Sequence, residues 1–127
     1  MTMTVREAMS TQLVTVRETD SVLDGLRVLI REKVGGAPVV TPDFRLVGMV
    51  TEYDLLLALD FVGEEFPISR IMRKEVISLS PEMSLDEARN LVLIHHHRRL
   101  PVVDAGDGDK LVGVLSRRDI LRLRFGL

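Results

Sequence analysis

The sequence predicts a mixed α/β (α+β) fold built from two β-α-β-β-α units packed with pseudo-twofold symmetry. Three observations carry that expectation. First, LVGMVTEYD, from Leu46 to Asp54, returns as LVGVLSRRD from Leu111 to Asp119. Second, APVV and LPVV place Pro38 and Pro101 at an offset of 63 (101 − 38), and the same offset pairs Met9 with Met72, Val14 with Ile77, Thr15 with Ser78 and Ser21 with Ser84. Third, beyond the prolines the offset becomes 65 (113 − 48), which joins Gly48 to Gly113 and Asp54 to Asp119. The additional residues fall in AGDGDK, a Gly/Asp turn that absorbs length at little cost. An internal period of this size is the mark of a repeat architecture. Repeat one spans 5–60, the linker FVGEEFP 61–67, and repeat two 68–124.

Each repeat reads in the same order. A short extended piece (LVTV, VISL) leads into an amphipathic helix. In repeat two, Ser84 is the expected N-cap and Glu87 completes a capping box; Leu85, Ala88, Leu91, Val92 and His95 then recur at helical spacing. In repeat one, Ser21 is the cap, Leu23, Leu26, Ile30 and Val34 form the expected apolar face, and Gly35-Gly36 the expected stop. A β-branched strand follows, expected to begin at Pro38 or Pro101, where a missing N–H does least harm. After a turn comes a second strand, LVGMV or LVGVL, and then a closing helix, YDLLLAL or RRDILRLR.

Composition narrows the function. The chain has 127 residues, 46% hydrophobic and 28% charged, as is ordinary for a globular domain. A net charge of −2 provides no basic field for nucleic acid or an anionic membrane. Aromatics at 4% give no stacking platform for single strands. The absence of cysteine excludes disulfides and thiol catalysis, and fits a reducing compartment. No apolar run has the length of a membrane span, and MTMTVREAMS lacks a signal-peptide core, so the expected location is cytoplasmic.

The doubled motif is Gly48-Met49-Val50-Thr51-Glu52-Tyr53-Asp54 and Gly113-Val114-Leu115-Ser116-Arg117-Arg118-Asp119. Together with the EAMS and RIMR starts and the PVV and LPVVD strands, it resembles the cystathionine β-synthase (CBS) domain, whose tandem pair is a Bateman module. That resemblance covers almost the whole chain. It implies a stand-alone regulatory module, not an enzyme, with an adenosine-containing ligand (AMP, ADP or ATP in preference to S-adenosylmethionine) in the inter-repeat clefts. It also implies a homodimer of modules, and signalling to an unidentified protein partner. The alternative is a dimerisation or structural module whose clefts hold no ligand.

The motif suits a nucleotide chemically. A carboxylate accepts both hydrogens of a ribose diol, which assigns the sugar to Asp54 and Asp119. The hydroxyls of Thr51 and Ser116 meet ribose or phosphate, and the N–H groups that open the next helix favour an anion. Thr/Ser-x-x-Asp before a helix is also an ordinary cap, and both roles coexist. Gly48 and Gly113 allow the close approach of another backbone or of a ligand. By resemblance, Val14 and Ile77, with Thr15 and Ser78 beside them, line the adenine slot, and the residues around Pro101 add to it; the competing reading makes Val14 and Ile77 core residues. Arg98, Arg99 and Arg118 offer guanidinium forks to phosphate. Gly35, Gly36 and Tyr53 hold the corresponding places in repeat one. The Asp119 cleft is therefore the expected nucleotide site, and the Asp54 cleft is expected to be empty, weak or suited to a less charged ligand.

No metal site is expected. His95, His96 and His97 are consecutive and point about 100° apart on a helix, so they do not converge on one ion; they read as surface or helix-end residues. Asp107-Gly108-Asp109 lacks the other ligands of a calcium loop. No G-x-S-x-G, H-E-x-x-H or phosphate-cradling glycine loop is present, and nothing in the sequence supports catalysis.

Overall fold

The computed structural model describes residues 3–95 and 99–127. It contains α1 (Val5–Ala8), β1 (Val16–Arg17), α2 (Val22–Glu32), β2 (Gly36–Val40), β3 (Leu46–Thr51), α3 (Glu52–Phe61), α4 (Leu85–His95), β4 (Arg99–Asp104), β5 (Lys110–Ser116) and α5 (Arg117–Phe125). Two 3-10 turns, Ile68–Arg70 and Ala105–Asp107, complete the elements among the described residues. The chain is a mixture of helix and strand, and the order of elements repeats.

The chain forms two compact units. One is Val14–Val76; the other joins Met1–Leu13 to Ile77–Leu127. In the first unit β1 pairs parallel to β2, and β2 antiparallel to β3, giving the order β1-β2-β3. In the second, β4 and β5 form an antiparallel pair. There the leading extended piece is reduced to one parallel bridge, Leu79 to Val102.

Each unit takes its opening segment from the other sequence repeat. The N–H groups of Val5 and Arg6 donate to the carbonyls of Met83 and Pro81, and Leu85 N–H donates to Met3, all within 2.8–2.9 Å. The same three bonds recur one repeat along: Ile68 to Asp20, Ser69 to Glu18 and Val22 to Phe66, at 2.9–3.1 Å. Val5 is consequently buried among Leu79, Leu85, Ala88, Val92, Leu100 and Leu115. Ile68 is buried among Val16, Val22, Leu29, Val39, Val50 and Leu55.

Local details depart from the sequence reading in three places. The core face of α2 is Val22, Gly25 and Leu29, with Leu26 partly buried, whereas Ile30 is 69% exposed. The apolar stripe therefore lies further round the helix than Leu23–Ile30 suggested. Gly35-Gly36 does not stop α2. Lys33, in the left-handed region at φ 56°, caps it, and Gly36 already belongs to β2. The strands also start before their prolines, at Gly36 and Arg99. Pro101 faces the edge where only Leu79 pairs: its carbonyl accepts from Leu79 N–H at 2.9 Å, so its missing N–H falls on the side with fewest partners.

The two cores trade volume. A Cβ on Gly25 would lie 2.7 Å from Ile68 Cδ1. The equivalent pair in the other unit is Ala88 with Val5, both fully buried. One methyl has moved from the helix to the incoming segment. Gly25→Ala and Ile68→Val should accordingly couple: the double variant should be more stable than the sum of the single effects by at least ~0.5 kcal/mol. Ile68→Val alone should cost ~0.5–1.5 kcal/mol. Urea unfolding of the four proteins in the cycle checks this.

Candidate functional site

Each Thr/Ser-x-x-Asp segment lies where a strand turns into a helix. Thr51 and Ser116 are the N-caps of α3 and α5, and Asp54 and Asp119 stand at the third helical position. Each closes a capping box. Asp119 N–H donates to Ser116 Oγ at 3.1 Å, and Ser116 N–H donates to Asp119 Oδ2 at 2.8 Å. In the first unit the corresponding distances are 3.2 and 3.1 Å. The cap reading of the motif is thus realised, and it takes only one oxygen of each carboxylate. Among the described residues, Asp119 Oδ1 has no partner. Asp54 Oδ1 accepts from Arg73 Nη2 at 3.1 Å.

The motif glycines serve a backbone crossing. A Cβ on Gly113 would lie 2.5 Å from Met9 Sδ and 3.2 Å from the Ser10 carbonyl oxygen. On Gly48 it would meet Met72 Sδ at 2.7 Å and the Arg73 carbonyl oxygen at 2.9 Å. Of the two roles expected for these glycines, another backbone is the neighbour. Ser10 exchanges N–H···O bonds with Val114 at 2.9 and 3.0 Å, and Arg73 does the same with Met49 at 2.9 Å each way. The doubled Met9/Met72 and Gly48/Gly113 are therefore two halves of one contact.

These crossings set one wall of a hollow beside each aspartate. The Asp119 hollow has a volume of about 440 Å³, with Glu7, Met9, Ser10, Arg122 and Leu123 in its lining. The Asp54 hollow has about 350 Å³ and is lined by Leu57, Ala58, Phe61, Val62 and Ile71. At the offset of 65, Leu57 in one lining is replaced by Arg122 in the other, so that position carries hydrocarbon beside Asp54 and charge beside Asp119.

Arg99 begins β4 opposite Ser116 in β5, and is exposed. The residue at that register in the first unit is Gly36, opposite Thr51. Arg99, Ser116 and Asp119 are therefore brought together at one end of the β4-β5 pair. Arg118 is exposed on the first turn of α5, with no ion pair among the described residues. Ile77 and Ser78, half-buried, belong to the unit of Asp119; Ile77 packs against its core. Val14 and Thr15, also half-buried, lie just ahead of β1 in the unit of Asp54. Pro101 is buried in β4. Arg98, His96 and His97 lie outside the described residues, and His95 is exposed at the end of α4. Asp107-Gly108-Asp109 forms a turn in which Gly108 and Asp109 both have positive φ. Arg73 was not anticipated. The available signal was its alignment with Ser10, which places a guanidinium in one copy against a hydroxymethyl in the other.

The fold and the doubled strand-to-helix motif define a class of tandem-repeat α/β modules. The chain belongs to the CBS domain family, which matches residues 5–60 and 68–126. It is 34% identical over 118 residues to the CBS domain-containing protein YhcV of Bacillus subtilis, covering 91% of this chain and 81% of that protein. Other relatives are longer: the chain spans 42% of one and 20% of another, an inosine-5'-monophosphate dehydrogenase. Among solved structures, CBSX2, a CBS-pair protein of Arabidopsis thaliana, in its complex with AMP, superposes with a TM-score of 0.85 at 32% identity over 98% of this chain and 97% of that one. The CBS pair of MJ0100, with 5'-methylthioadenosine and S-adenosyl-L-methionine, gives a TM-score of 0.81 at 26% identity, covering 99% and 98%. No helix among the described residues is long and apolar enough to cross a membrane.

Gly48→Ala and Gly113→Ala should each lower stability by roughly 1–3 kcal/mol through overpacking. Gly48→Ala should be the worse of the two, because the nearest backbone oxygen, at 2.9 Å, is held by paired hydrogen bonds. Thermal and urea unfolding read the difference.

Proposed function

We propose that this chain is a regulatory CBS pair that binds an adenine nucleotide at the repeat-two motif and passes its occupancy to a protein partner, without chemistry of its own. One observation carries the reading: Asp119 is fixed by its capping box with its second oxygen uncommitted among the described residues, at the strand end where Arg99 stands opposite Ser116. A carboxylate oxygen suits the ribose diol, and Arg99, with Arg98 before it and Arg118 next to Asp119 in sequence, suits phosphate. Ile77, Ser78 and the segment around Pro101, in the unit of Asp119, are the candidates for the adenine, and Val14 and Thr15 hold the corresponding places in the unit of Asp54. The AMP complex of CBSX2 supports AMP, ADP or ATP as the ligand class, and the MJ0100 complex keeps S-adenosylmethionine as the comparison ligand. Repeat one, with Asp54 and Thr51, is the weaker site. A cytoplasmic location belongs to the same reading, although relatives include proteins described as chloroplastic.

The module acts as a homodimer in this proposal. Helix α3 is apolar on nearly all sides; it buries Leu55 and Ala58 but exposes Leu56 at 63% and Phe61 at 78%. Helices of that character are ordinarily covered.

Calorimetry with AMP tests the site. Asp119→Ala should weaken binding by ~1.5–3 kcal/mol, the range for hydrogen bonds to a charged group, or about tenfold to a hundredfold. Arg99→Ala should weaken AMP more than adenosine. Unchanged AMP affinity in Asp119→Ala would overturn the assignment. Light scattering at micromolar concentration should give the mass of a dimer, and Leu56→Asp with Phe61→Asp should give a monomer; a monomeric parent protein would remove the dimer from the proposal.

A further inference from the structure

Asp54 and Asp119 hold the same position in the same motif and close the same capping box. Their second oxygens differ. Arg73 Nη2 donates to Asp54 Oδ1 at 3.1 Å, and the Asp54 side chain is 14% exposed against 63% for Arg73. A guanidinium thus reaches in from solvent to a carboxylate set into the surface. Its starting point is fixed, because Arg73 and Met49 exchange two backbone hydrogen bonds beside Gly48. In the other unit the residue with the same backbone pairing is Ser10. Its short side chain instead accepts from Gln12 N–H at 3.3 Å.

We propose that Arg73 is a specificity-determining residue that closes the repeat-one motif to ribose diols. The inference rests on the reading of the motif aspartate as the ribose acceptor. A 2′,3′-diol needs the acceptor that Arg73 already occupies, so it must displace a charged donor with two neutral ones. Nothing at hand compensates the loss: Gly36 stands where Arg99 faces Ser116 in the other unit, and the hollow beside Asp54 is walled by Leu57, Phe61, Val62 and Ile71. The two copies are therefore unequal by construction, with one carboxylate open and its twin paired within the chain.

The test uses Arg73→Ser, which installs the residue found at the equivalent position. Adenosine and AMP are titrated by NMR to millimolar concentration against the parent protein, Arg73→Ser, Asp119→Ala, Asp119→Ala with Arg73→Ser, and that double variant with Asp54→Ala. Thermal melts confirm that each is folded. An exposed ion pair contributes ~0.2–1 kcal/mol, or a factor of about 1.4 to 5. Because Asp54 is largely enclosed, the upper half of that range is expected: both ligands should bind the Asp119→Ala, Arg73→Ser protein threefold to fivefold more tightly than Asp119→Ala. Addition of Asp54→Ala should abolish the gain. Equal gains for adenosine and AMP identify the diol as the competitor. If Arg73→Ser leaves affinity unchanged, or if neither ligand binds with or without Arg73, the proposal is overturned. A selective loss of AMP affinity would also overturn it, by making Arg73 a phosphate ligand. Failure of the Asp119 reading shows separately, as unchanged AMP affinity on Asp119→Ala alone.

Discussion

The close passage of a backbone segment over a glycine is the constraint on which the rest of each unit depends. Met9–Ser10 crosses β5 at Gly113, and Met72–Arg73 crosses β3 at Gly48, in each case too near for a side chain. The crossing anchors the segment by a pair of backbone hydrogen bonds. It thereby delivers Val5 or Ile68 into the core a few residues upstream. It also places Ser10 or Arg73 beside the capped aspartate, and Ala8 or Ile71 in the wall of the hollow. A larger residue at either glycine would move the core, the site wall and the neighbour of the carboxylate together.

Exchange of opening segments gives the sequence repeats a dependence that each would lack alone. A hairpin with two helices is a small core, and small cores are marginal. Here each core gains a fully buried aliphatic residue and three backbone hydrogen bonds with the incoming segment, which supplies two of the N–H groups and one carbonyl. The shift of one carbon between the Gly25/Ile68 and Ala88/Val5 pairs keeps the summed side-chain size of the equivalent pair constant with different residues. Dense interiors tolerate such volume-conserving trades and resist uncompensated ones.

Much of this was legible in the chain. The repeat, the order of elements and the N-caps Ser21, Thr51, Ser84 and Ser116 follow from spacing, because caps and glycines act through local backbone geometry that a few residues encode. Of the box expected at Ser84 and Glu87, the bond from Glu87 N–H to Ser84 Oγ is present. The crossing was half visible: the paired glycines and paired methionines were both apparent, but their contact was not, since it joins Met9 to a residue more than a hundred positions later. The end of α2 was misread for a related reason. Glycine is the usual left-handed cap, and Lys33 takes that conformation with no signature of its own. The residues that meet at one strand-to-helix turn, Arg99, Ser116 and Asp119, could be named in advance. The ion pair of Arg73 with Asp54 could not, because Arg73 reaches Asp54 only through the crossing that positions it.

The capping box has a consequence for recognition as well as for the helix. A surface carboxylate free to rotate must be ordered before it can hold a ligand, and that ordering subtracts from affinity. Asp119 spends one oxygen on Ser116 N–H at 2.8 Å, which fixes the side chain and leaves the other oxygen without a partner among the described residues. Under the proposed function, the stabilising contact thus also preorganises the ribose acceptor. Asp54 is fixed in the same way, but Arg73 then completes its shell. One scaffold, copied within a single chain, yields a carboxylate with one oxygen unpartnered among the described residues and another already satisfied. The difference rests on whether serine or arginine follows the crossing methionine.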